Sequence, residues 1–228
     1  MNIFTGLLDL IYPVVCIHCG ISLVKTESLI CSFCNARLPQ THFHKDPVNE
    51  MTRAMWGRAN IEFATAFLFF KKAGITQGLL HQLKYKGRKE VGIQFGNRFG
   101  CQLIENPFIS HTDYLIPVPL HSKKLRARGY NQSKIICDGM NSSLNIPVLE
   151  NLHRISYTDT QTRKRRFDRW LNVSEKFILT NQDMLENKRV LLVDDVFTTG
   201  ATVEACCKVL ESVKGISIGI ATLAIALK

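Results

Sequence analysis

The feature that most restricts how this chain can fold is the alternation of apolar, strand-like runs with helix-like segments. Four runs are apolar enough for buried strands, over residues 64–70, 113–119, 189–193 and 216–226. Between them, apolar residues recur every three or four positions, as on one face of a helix, in the segments 79–103, 133–140 and 202–213. Strands and helices that alternate in this way favour a parallel sheet covered on both faces. The sequence therefore predicts an α/β fold.

The length of the chain, 228 residues, allows one sizeable α/β domain with a smaller unit beside it. Residues 42–60 show no sustained hydrophobic period and contain Pro47 and Gly57, so we interpret them as a linker. We therefore expect a small N-terminal module with its linker over residues 1–60 and the α/β domain over residues 61–228.

Hydrophobic residues make up 46% of the chain, a content typical of a soluble globular protein. No apolar run reaches the roughly 18 residues that a membrane helix needs, so no span is predicted. The N-terminal segment MNIFTGLLDLIYP lacks a basic start and a small-residue cleavage site. We expect a short packed helix there rather than a signal peptide. Eight cysteines in a chain without a predicted signal peptide favour a reducing compartment, so we expect a cytoplasmic protein.

Two CxxC pairs lie close together near the N-terminus, CIHC at 16–19 and CSFC at 31–34. Each pair can place two thiolates on one metal ion, and four thiolates complete a tetrahedral zinc site. A redox CxxC would not need a second pair, and disulfides conflict with a reducing compartment. We therefore expect a structural Zn²⁺ ion, without an open coordination position, held by Cys16, Cys19, Cys31 and Cys34. The remaining cysteines have no second cysteine at a metal-binding spacing. We expect each of them to be buried and to pack like a small apolar residue: Cys101, Cys137, Cys206 and Cys207.

The net charge of +10 is unevenly distributed along the chain. The windows 84–90, 121–134 and 154–172 hold 15 of the 29 lysine and arginine residues but only 3 of the 19 acidic residues. A single basic run is usually a solvated surface, but three separate runs favour a site for a polyanion. Pyrophosphate and nucleic acid are both candidates.

The stretch VLLVDDVFTTGATVEA at 190–205 indicates the most specific chemistry. Ligands of a parallel sheet bind beyond the carboxyl ends of its strands, so strand 189–193 would deliver Asp194 and Asp195 to that edge. The Thr-Thr-Gly-Ala-Thr turn over 198–202 then leads into a helix, whose N-terminal N–H groups suit a phosphate. Two carboxylates beside a phosphate site suit the vicinal hydroxyls of a ribose 5-phosphate. A helix-capping role for the two acids would leave the turn unexplained.

Two other protein classes also place carboxylates after a strand. A receiver domain carries its aspartate pair near its start, but only 33 residues follow Asp195. A Walker B strand requires a GxxxxGK[ST] loop upstream, and the sequence contains no such loop. The ribose-phosphate interpretation is therefore favoured over both.

The stretch 190–205 resembles the phosphoribosyl-diphosphate (PRPP) motif of type I phosphoribosyltransferases. Three basic motifs also occur in the chain, LKYKGRKEVG (83–92), LIPVPLHSKKLRARGYNQS (115–133) and RISYTDTQTRKRRFDRWLNV (154–173). With these motifs, the CxxC pairs and the stretch 190–205, the chain resembles the ComF family of competence-related proteins over nearly its whole length. The resemblance implies a type I phosphoribosyltransferase fold, a parallel sheet with helices on both faces, and a small N-terminal zinc module with four cysteine ligands. It further implies binding of PRPP with Mg²⁺, or of a related 5-phosphoribosyl ligand, and a function in DNA uptake and natural transformation.

The same resemblance implies the roles of individual residues. A phosphoribosyltransferase acts mainly by positioning PRPP and neutralising the charge of the leaving pyrophosphate. The catalytic residues would be Asp194, Asp195 and Arg128. The residues that bind PRPP would be Asp194, Asp195, Thr198, Thr199, Gly200, Ala201, Thr202, Pro119, Leu120 and Lys84. No histidine or glutamate stands out as a general base, so the sequence supports PRPP binding more strongly than turnover.

The basic segment 154–172 corresponds in the family to a mobile loop that closes over substrate. Its arginines alternate with aromatic residues, a mixture that also suits single-stranded DNA; the candidate contacts are Arg165, Arg166, Arg169 and Trp170. A basic lid that never contacts nucleic acid would have a similar composition. Three functions follow: a phosphoribosyltransferase with an unidentified acceptor, which we favour, a non-enzymatic protein that binds single-stranded DNA, and a PRPP sensor. Single-stranded DNA and proteins of the DNA-uptake machinery are the candidate partners.

Overall fold

The computed structural model describes residues 13–154 and 177–226. The strands of this part of the chain are β1 (Phe63–Phe69), β2 (Tyr114–Pro117), β3 (Leu152–Arg154), β4 (Phe177–Leu179), β5 (Arg189–Phe197) and β6 (Ser217–Ile225). Four of them form a parallel sheet in the order β1-β6-β5-β2. Strands β3 and β4 form a separate antiparallel pair. The expected parallel sheet is therefore confirmed.

The α-helices of the described residues are α1 (Ser32–Ala36), α2 (Glu50–Met55), α3 (Ile75–Tyr85), α4 (Lys89–Leu103), α5 (Ser122–Arg128), α6 (Gln132–Leu144) and α7 (Ala201–Leu210). Three short 3-10 helices lie between them, at Phe43–Lys45, Ile109–His111 and Gln182–Leu185. The periodic segments 79–103, 133–140 and 202–213 all fall on helices, although the first is divided between α3 and α4. None of the helices described is long and apolar enough to span a membrane.

Helices cover both faces of the sheet because successive residues of a strand point to opposite sides. On one face, Leu191 and Val193 of β5 pack in the same core as apolar residues of α3, α4 and α6. On the other face, Val190 and Leu192 pack with residues of α2 and α7. The apolar run of β5 is continuous because both of its faces are buried.

Glycines allow α4 and α6 to pack with their backbones in contact. Gly96 of α4 lies against the carbonyl of Ile136, and Gly139 of α6 lies against the carbonyl of Ile93. A Cβ atom at either glycine would overlap the carbonyl oxygen of the facing helix. This close approach fixes the position of α6, whose first turn reaches the carboxyl end of β5.

The interpretation of residues 42–60 as a linker is wrong for the segment that forms the 3-10 helix Phe43–Lys45 and helix α2. Asn49 caps α2 by accepting hydrogen bonds from the N–H groups of Met51 and Thr52, at 2.9 and 3.1 Å. Met51 and Met55, four residues apart, are fully buried against the sheet. The segment is too short for a hydrophobic period to show, so its two anchoring methionines were not recognised. The division of the chain at residue 60 stays a prediction.

Strand β5 is longer than its apolar run. The expected end at residue 193 is wrong, because pairing with β6 continues from Val193 to Phe197, opposite Ile225. Pairing with β2 stops at Val193, opposite Pro117. The acidic pair 194–195 therefore lies inside β5, where one edge of the strand has no paired strand among the residues that the structure describes. This open edge is where a ligand of a parallel sheet is expected.

Candidate functional site

The two aspartates at the open edge of β5 have different partners. The Oδ1 atom of Asp194 accepts hydrogen bonds from the Ser133 hydroxyl, at 2.9 Å, and from the backbone N–H of Asp195, at 2.8 Å. The carboxylate of Asp195 forms an ion pair with Lys84, with 2.9 Å between Lys84 Nζ and Asp195 Oδ1. Both side chains of that ion pair are less than one-fifth exposed, at 19% for Lys84 and 13% for Asp195. The structure thus brings together three of the predicted site residues, from α3 and β5.

Burial raises the pKa of Asp194 to about 7, and the negative charge of Asp195 beside it acts in the same direction. The hydrogen bonds from Asp195 and Ser133 and the charge of Lys84 oppose the increase without cancelling it. Asp194 therefore changes its protonation state near neutral pH, a property suited to a group that exchanges a proton with a ligand. The sequence predicts Asp194 as a catalytic residue but not its raised pKa, because the pKa depends on the enclosure of the carboxyl group.

The turn over residues 198–202 leads from β5 into α7. Gly200 has a φ of 76°, in the left-handed region, and a Cβ atom at this position would lie 2.7 Å from the Phe197 ring. Thr198, Thr199, Ala201 and Thr202 are exposed. The first N–H groups of a helix have no partner within the helix, and Gly200 has no side chain to cap them. The Ala201 N–H donates to the hydroxyl of Thr199 over a long distance, 3.4 Å. The turn can therefore present N–H and hydroxyl groups to an anion.

Arg58 forms hydrogen bonds with this turn and with α7, and the sequence did not predict them. Its Nη1 atom donates to the carbonyl of Thr199, at 2.7 Å. Its Nη2 and Nε atoms donate to the Oε2 atom of Glu204 in α7, at 2.7 and 3.0 Å. The arginine belongs to the segment interpreted as a linker, and nothing in the sequence relates it to a turn 141 residues away.

The segment that follows β2 lies beside this edge. Pro119 and Leu120 are half-buried after the last strand residue, Pro117. Val118 donates its N–H to the carbonyl of Val193, at 2.9 Å. The side chain of Asn131, at the N-terminus of α6, donates to the Val118 carbonyl at 3.0 Å. These bonds place the segment next to the aspartates of β5.

Arg128, a predicted catalytic residue, has Gln132 and Tyr85 as its partners among the described residues. Its Nη1 atom donates to Gln132 Oε1 at 2.8 Å, and its guanidinium lies 5.2 Å from the centre of the Tyr85 ring. The hydroxyl of the buried Tyr130 donates to the carbonyl of Leu83 in α3. The start of α6 is thereby attached to the end of α3 that carries Lys84.

The four cysteines of the CxxC pairs form one cluster. Their sulfur atoms all lie within 4.8 Å of one another, and Cys19 Sγ and Cys31 Sγ are 3.7 Å apart. Sulfur atoms bound to one tetrahedral Zn²⁺ at about 2.3 Å would be about 3.8 Å apart. The donor set and its spacing therefore fit zinc.

Glu27 joins the two halves of this cysteine cluster. Its Oε1 atom accepts from the N–H and hydroxyl of Ser32, each at 2.6 Å, and its Oε2 atom accepts from the N–H of Val24 at 3.1 Å. Ile17 and Leu23 pack in the same core as Ile75 and Leu79 of α3. The cysteine cluster is thus packed against the helix that carries Lys84.

The other cysteines follow the expectation in three cases. Cys137, Cys206 and Cys207 are buried, and burial raises the pKa of each thiol. Cys101 is exposed on α4, so that prediction is wrong for it. The candidate DNA contacts Arg165, Arg166, Arg169 and Trp170 lie outside the described residues, as does the N-terminal segment 1–12.

Comparison with known proteins gives a match to the phosphoribosyl transferase domain over residues 138–227. Competence protein F of Haemophilus influenzae is 37% identical over 99 residues, which are 42% of this chain and 43% of that protein. Competence protein ComFC of Bacillus subtilis is 27% identical over 145 residues, which are 63% of this chain and 57% of that protein. The DNA utilization protein YhgH of Escherichia coli is 27% identical over 136 residues, 58% of this chain and 59% of that protein. The matched stretches thus span about half the length of these relatives.

Among solved structures, a hypoxanthine phosphoribosyltransferase of Staphylococcus aureus aligns with 61% of this chain and 68% of its own, at 20% identity and a TM-score of 0.38. The domain match covers the second half of α6, both strands that follow it in the parallel sheet, and the whole of the 194–202 segment. The chain has the type I phosphoribosyltransferase fold, a parallel sheet with helices on both faces.

Proposed function

We propose, from the premise that this chain belongs to the ComF family, that the carboxyl edge of its sheet binds PRPP or a related 5-phosphoribosyl ligand. One observation carries the proposal. Two carboxylates at the open edge of β5 lie three and four residues before Thr198, the first residue of a turn that leads into the N-terminus of α7. A ribose 5-phosphate carries the matching groups, two hydroxyls and a phosphate, on one rigid ring.

The carboxylates of Asp194 and Asp195 would accept hydrogen bonds from the 2′- and 3′-hydroxyls of the ribose. The turn over 198–202 would bind the 5′-phosphate through its backbone N–H groups and the hydroxyls of its threonines, aided by the dipole of α7. Thr198, Thr199 and Thr202 are exposed and therefore accessible to a ligand.

The pyrophosphate group of PRPP would lie at the segment that follows β2, where Pro119 and Leu120 are accessible. Lys84 supplies a cation at this edge, where its Nζ atom lies 2.9 Å from Asp195 Oδ1. A pyrophosphate is a competing partner for the Lys84 ammonium. Transfer of Lys84 from Asp195 to the ligand would release that carboxylate for the ribose. The site residues so assigned are those that the sequence predicts.

Mg²⁺ would accompany PRPP, because carboxylate and phosphate oxygens are the ligands that this ion prefers. Asp195 fits this role, since only its Oδ1 atom has a partner among the residues that the structure describes. The ion would neutralise charge on the pyrophosphate. Zn²⁺ would have a separate, structural role at Cys16, Cys19, Cys31 and Cys34, where four thiolates leave no open position.

The site favours a transferase over a sensor because it contains a group that changes charge at neutral pH. With a pKa of about 7, Asp194 can accept a proton from an incoming amine or nucleobase as the bond to C1 of the ribose forms and pyrophosphate leaves. Arg128 would assist the leaving pyrophosphate, after a rotamer change that takes its guanidinium away from Tyr85. The acceptor is unidentified.

A second candidate function, binding of single-stranded DNA, is favoured by the surface where α3 ends. The Tyr85 side chain is 65% exposed there and lies under the Arg128 guanidinium. Residues 84–89 and 123–128 contain eight lysines and arginines and no acidic residue. Exposed aromatic rings beside basic side chains suit the bases and backbone of a single strand. Such a protein could act in DNA uptake without catalysis.

The proposed biological role is in DNA uptake and natural transformation, in the cytoplasm and together with proteins of the uptake machinery. The names of the relatives, competence protein F, ComFC and DNA utilization protein, support this role. This biological role is compatible with either biochemical function. A phosphoribosyl ligand and a DNA strand would occupy neighbouring parts of the surface.

Calorimetry with PRPP and Mg²⁺, beside thermal unfolding, tests the first candidate. A ligand that binds only the folded protein raises the melting temperature of the protein. We expect a clear increase at millimolar PRPP and no increase in the variant Asp194→Asn/Asp195→Asn. An unchanged melting temperature of the parent protein would refute binding. Release of pyrophosphate in the presence of amines and nucleobases then separates the transferase from the sensor.

Salt-dependent binding of single-stranded DNA tests the second candidate. Replacement of Arg165, Arg166 and Arg169 by alanine should lower the slope of log K against log salt by up to about 2, near 0.7 for each lost phosphate contact. Trp170→Ala should weaken binding by about 1–3 kcal/mol with little change in slope, because stacking releases no ions. If the parent and both variants bind DNA equally while PRPP affinity falls, segment 154–172 serves the ligand alone.

A further inference from the structure

The orientation of one peptide group decides whether the turn over 198–202 can bind an anion. Carbonyl and N–H groups of a planar trans peptide point in opposite directions. If the Thr199 carbonyl pointed toward the ligand, it would place a partial negative charge against the phosphate. The Gly200 N–H can reach a phosphate only when the Thr199 carbonyl points away.

The backbone alone does not select this orientation. Rotation of the peptide between Thr199 and Gly200 would change mainly ψ of Thr199 and φ of Gly200. Glycine populates positive and negative φ about equally, so the rotated peptide is sterically accessible. The observed φ of Gly200, 76°, is therefore one of two permitted arrangements.

Arg58 selects between these arrangements. Its Nη1 atom donates to the Thr199 carbonyl at 2.7 Å. The small cavity at this turn is lined by Asp194 and residues 196–203, and Arg58 is not one of its lining residues. The Arg58 side chain is itself fixed at three further points, by two bonds to Glu204 Oε2 and by a bond from Nη1 to the carbonyl of Ala54, at 3.2 Å. Glu204 is held in turn by Lys208, at 3.0 Å. A rotated peptide would point its N–H at the guanidinium and lose the bond to Arg58.

We propose that Arg58 is a positioning residue of the 198–202 turn, which holds the Thr199–Gly200 peptide with its N–H toward a bound phosphate. Arg58 does this without contacting the ligand. Its positive charge is neutralised by Glu204, at 2.7 Å, and its side chain is 31% exposed. The inference rests on the proposed 5-phosphoribosyl site, and it assigns a function to a residue of the segment 42–60.

Arg58→Lys tests the proposal, because a lysine can reach Glu204 or the Thr199 carbonyl but lacks the planar fork that bonds both. The probe is ribose 5-phosphate, measured by calorimetry. We expect at least about a tenfold loss of affinity, the effect of losing one hydrogen bond to a charged group. The NMR signal of the Gly200 amide should shift when ribose 5-phosphate binds to the parent protein and should shift less in the variant. Lys188→Ala is the matched control, since it removes an ion pair with Asp113 before the opposite end of β5.

Glu204→Gln distinguishes positioning from direct contact and does not depend on whether Arg58→Lys folds. If Arg58 bound the phosphate itself, removal of the neutralising carboxylate would strengthen binding. If Arg58 positions the peptide, a weaker hold on the guanidinium should lower affinity several-fold. Stronger binding by Glu204→Gln, or full affinity in Arg58→Lys, overturns the proposal. Failure of the parent protein to bind ribose 5-phosphate would instead remove the proposed function on which it rests.

Discussion

Replacement of Asp194 by asparagine should stabilise the folded protein, and the stabilisation should grow with pH. Burial raises the pKa of Asp194 from 3.8 to about 7. Because the folded-state pKa lies above the unfolded value, the folded state binds more protons between these two values, and stability falls as the pH rises through this window. Above pH 7 the ionised carboxylate carries its full cost, about 4 kcal/mol at about 1.4 kcal/mol per pKa unit.

Asparagine has nearly the same shape, and its Oδ1 atom can accept the bonds from Ser133 and the Asp195 N–H. Its amide group needs a partner, which costs about 1–3 kcal/mol if none is found. That cost does not depend on pH. The difference in unfolding free energy between variant and parent should therefore increase by about 2 kcal/mol from pH 5.5 to pH 8.5, whatever its absolute value.

Urea unfolding of both proteins across this range, with zinc in the buffer, measures the difference. The cysteine cluster and all other titratable groups contribute equally to the pH dependence of both proteins, so their contributions cancel in the difference. Asp195→Asn is the matched control: it breaks the enclosed ion pair with Lys84, so we expect destabilisation rather than stabilisation. Parallel pH profiles for Asp194→Asn and the parent would refute the raised pKa, and with it the role of Asp194 as a proton acceptor.

Three further predictions concern the supports of the site. Purified, reduced protein should contain about one zinc ion per chain by metal analysis, and Cys31→Ser should lose it; a metal-free parent protein would contradict the zinc site. Gly200→Ala should lower the unfolding free energy by more than the roughly 1–2 kcal/mol of a left-handed alanine, because its Cβ would also meet Phe197; a smaller loss in urea unfolding would show that the turn relaxes. Gly139→Ala should destabilise the fold by at least about 1–3 kcal/mol through overlap with the Ile93 carbonyl; wild-type stability would exclude backbone contact between α4 and α6.

The sequence by itself determined the class of fold and the segments of the ligand edge. Strands buried on both faces are continuous apolar runs, and the turn after β5 needs threonines and a glycine at fixed places, so both leave a local pattern. The two CxxC pairs are equally local, and their sulfur atoms do form one cluster. Each of these features depends on residues that are neighbours in the chain.

Only the tertiary structure decided which residues complete the edge. β5 extends to Phe197 because β6 continues to pair with it, and Asp194 has a raised pKa because other elements enclose it. Ser133 reaches Asp194 because glycines bring α6 against α4, and Arg58 reaches Thr199 because two buried methionines hold α2 on the sheet. These contacts join residues 61 and 141 positions apart. Their strength depends on distance and enclosure in space, which no spacing along the chain records.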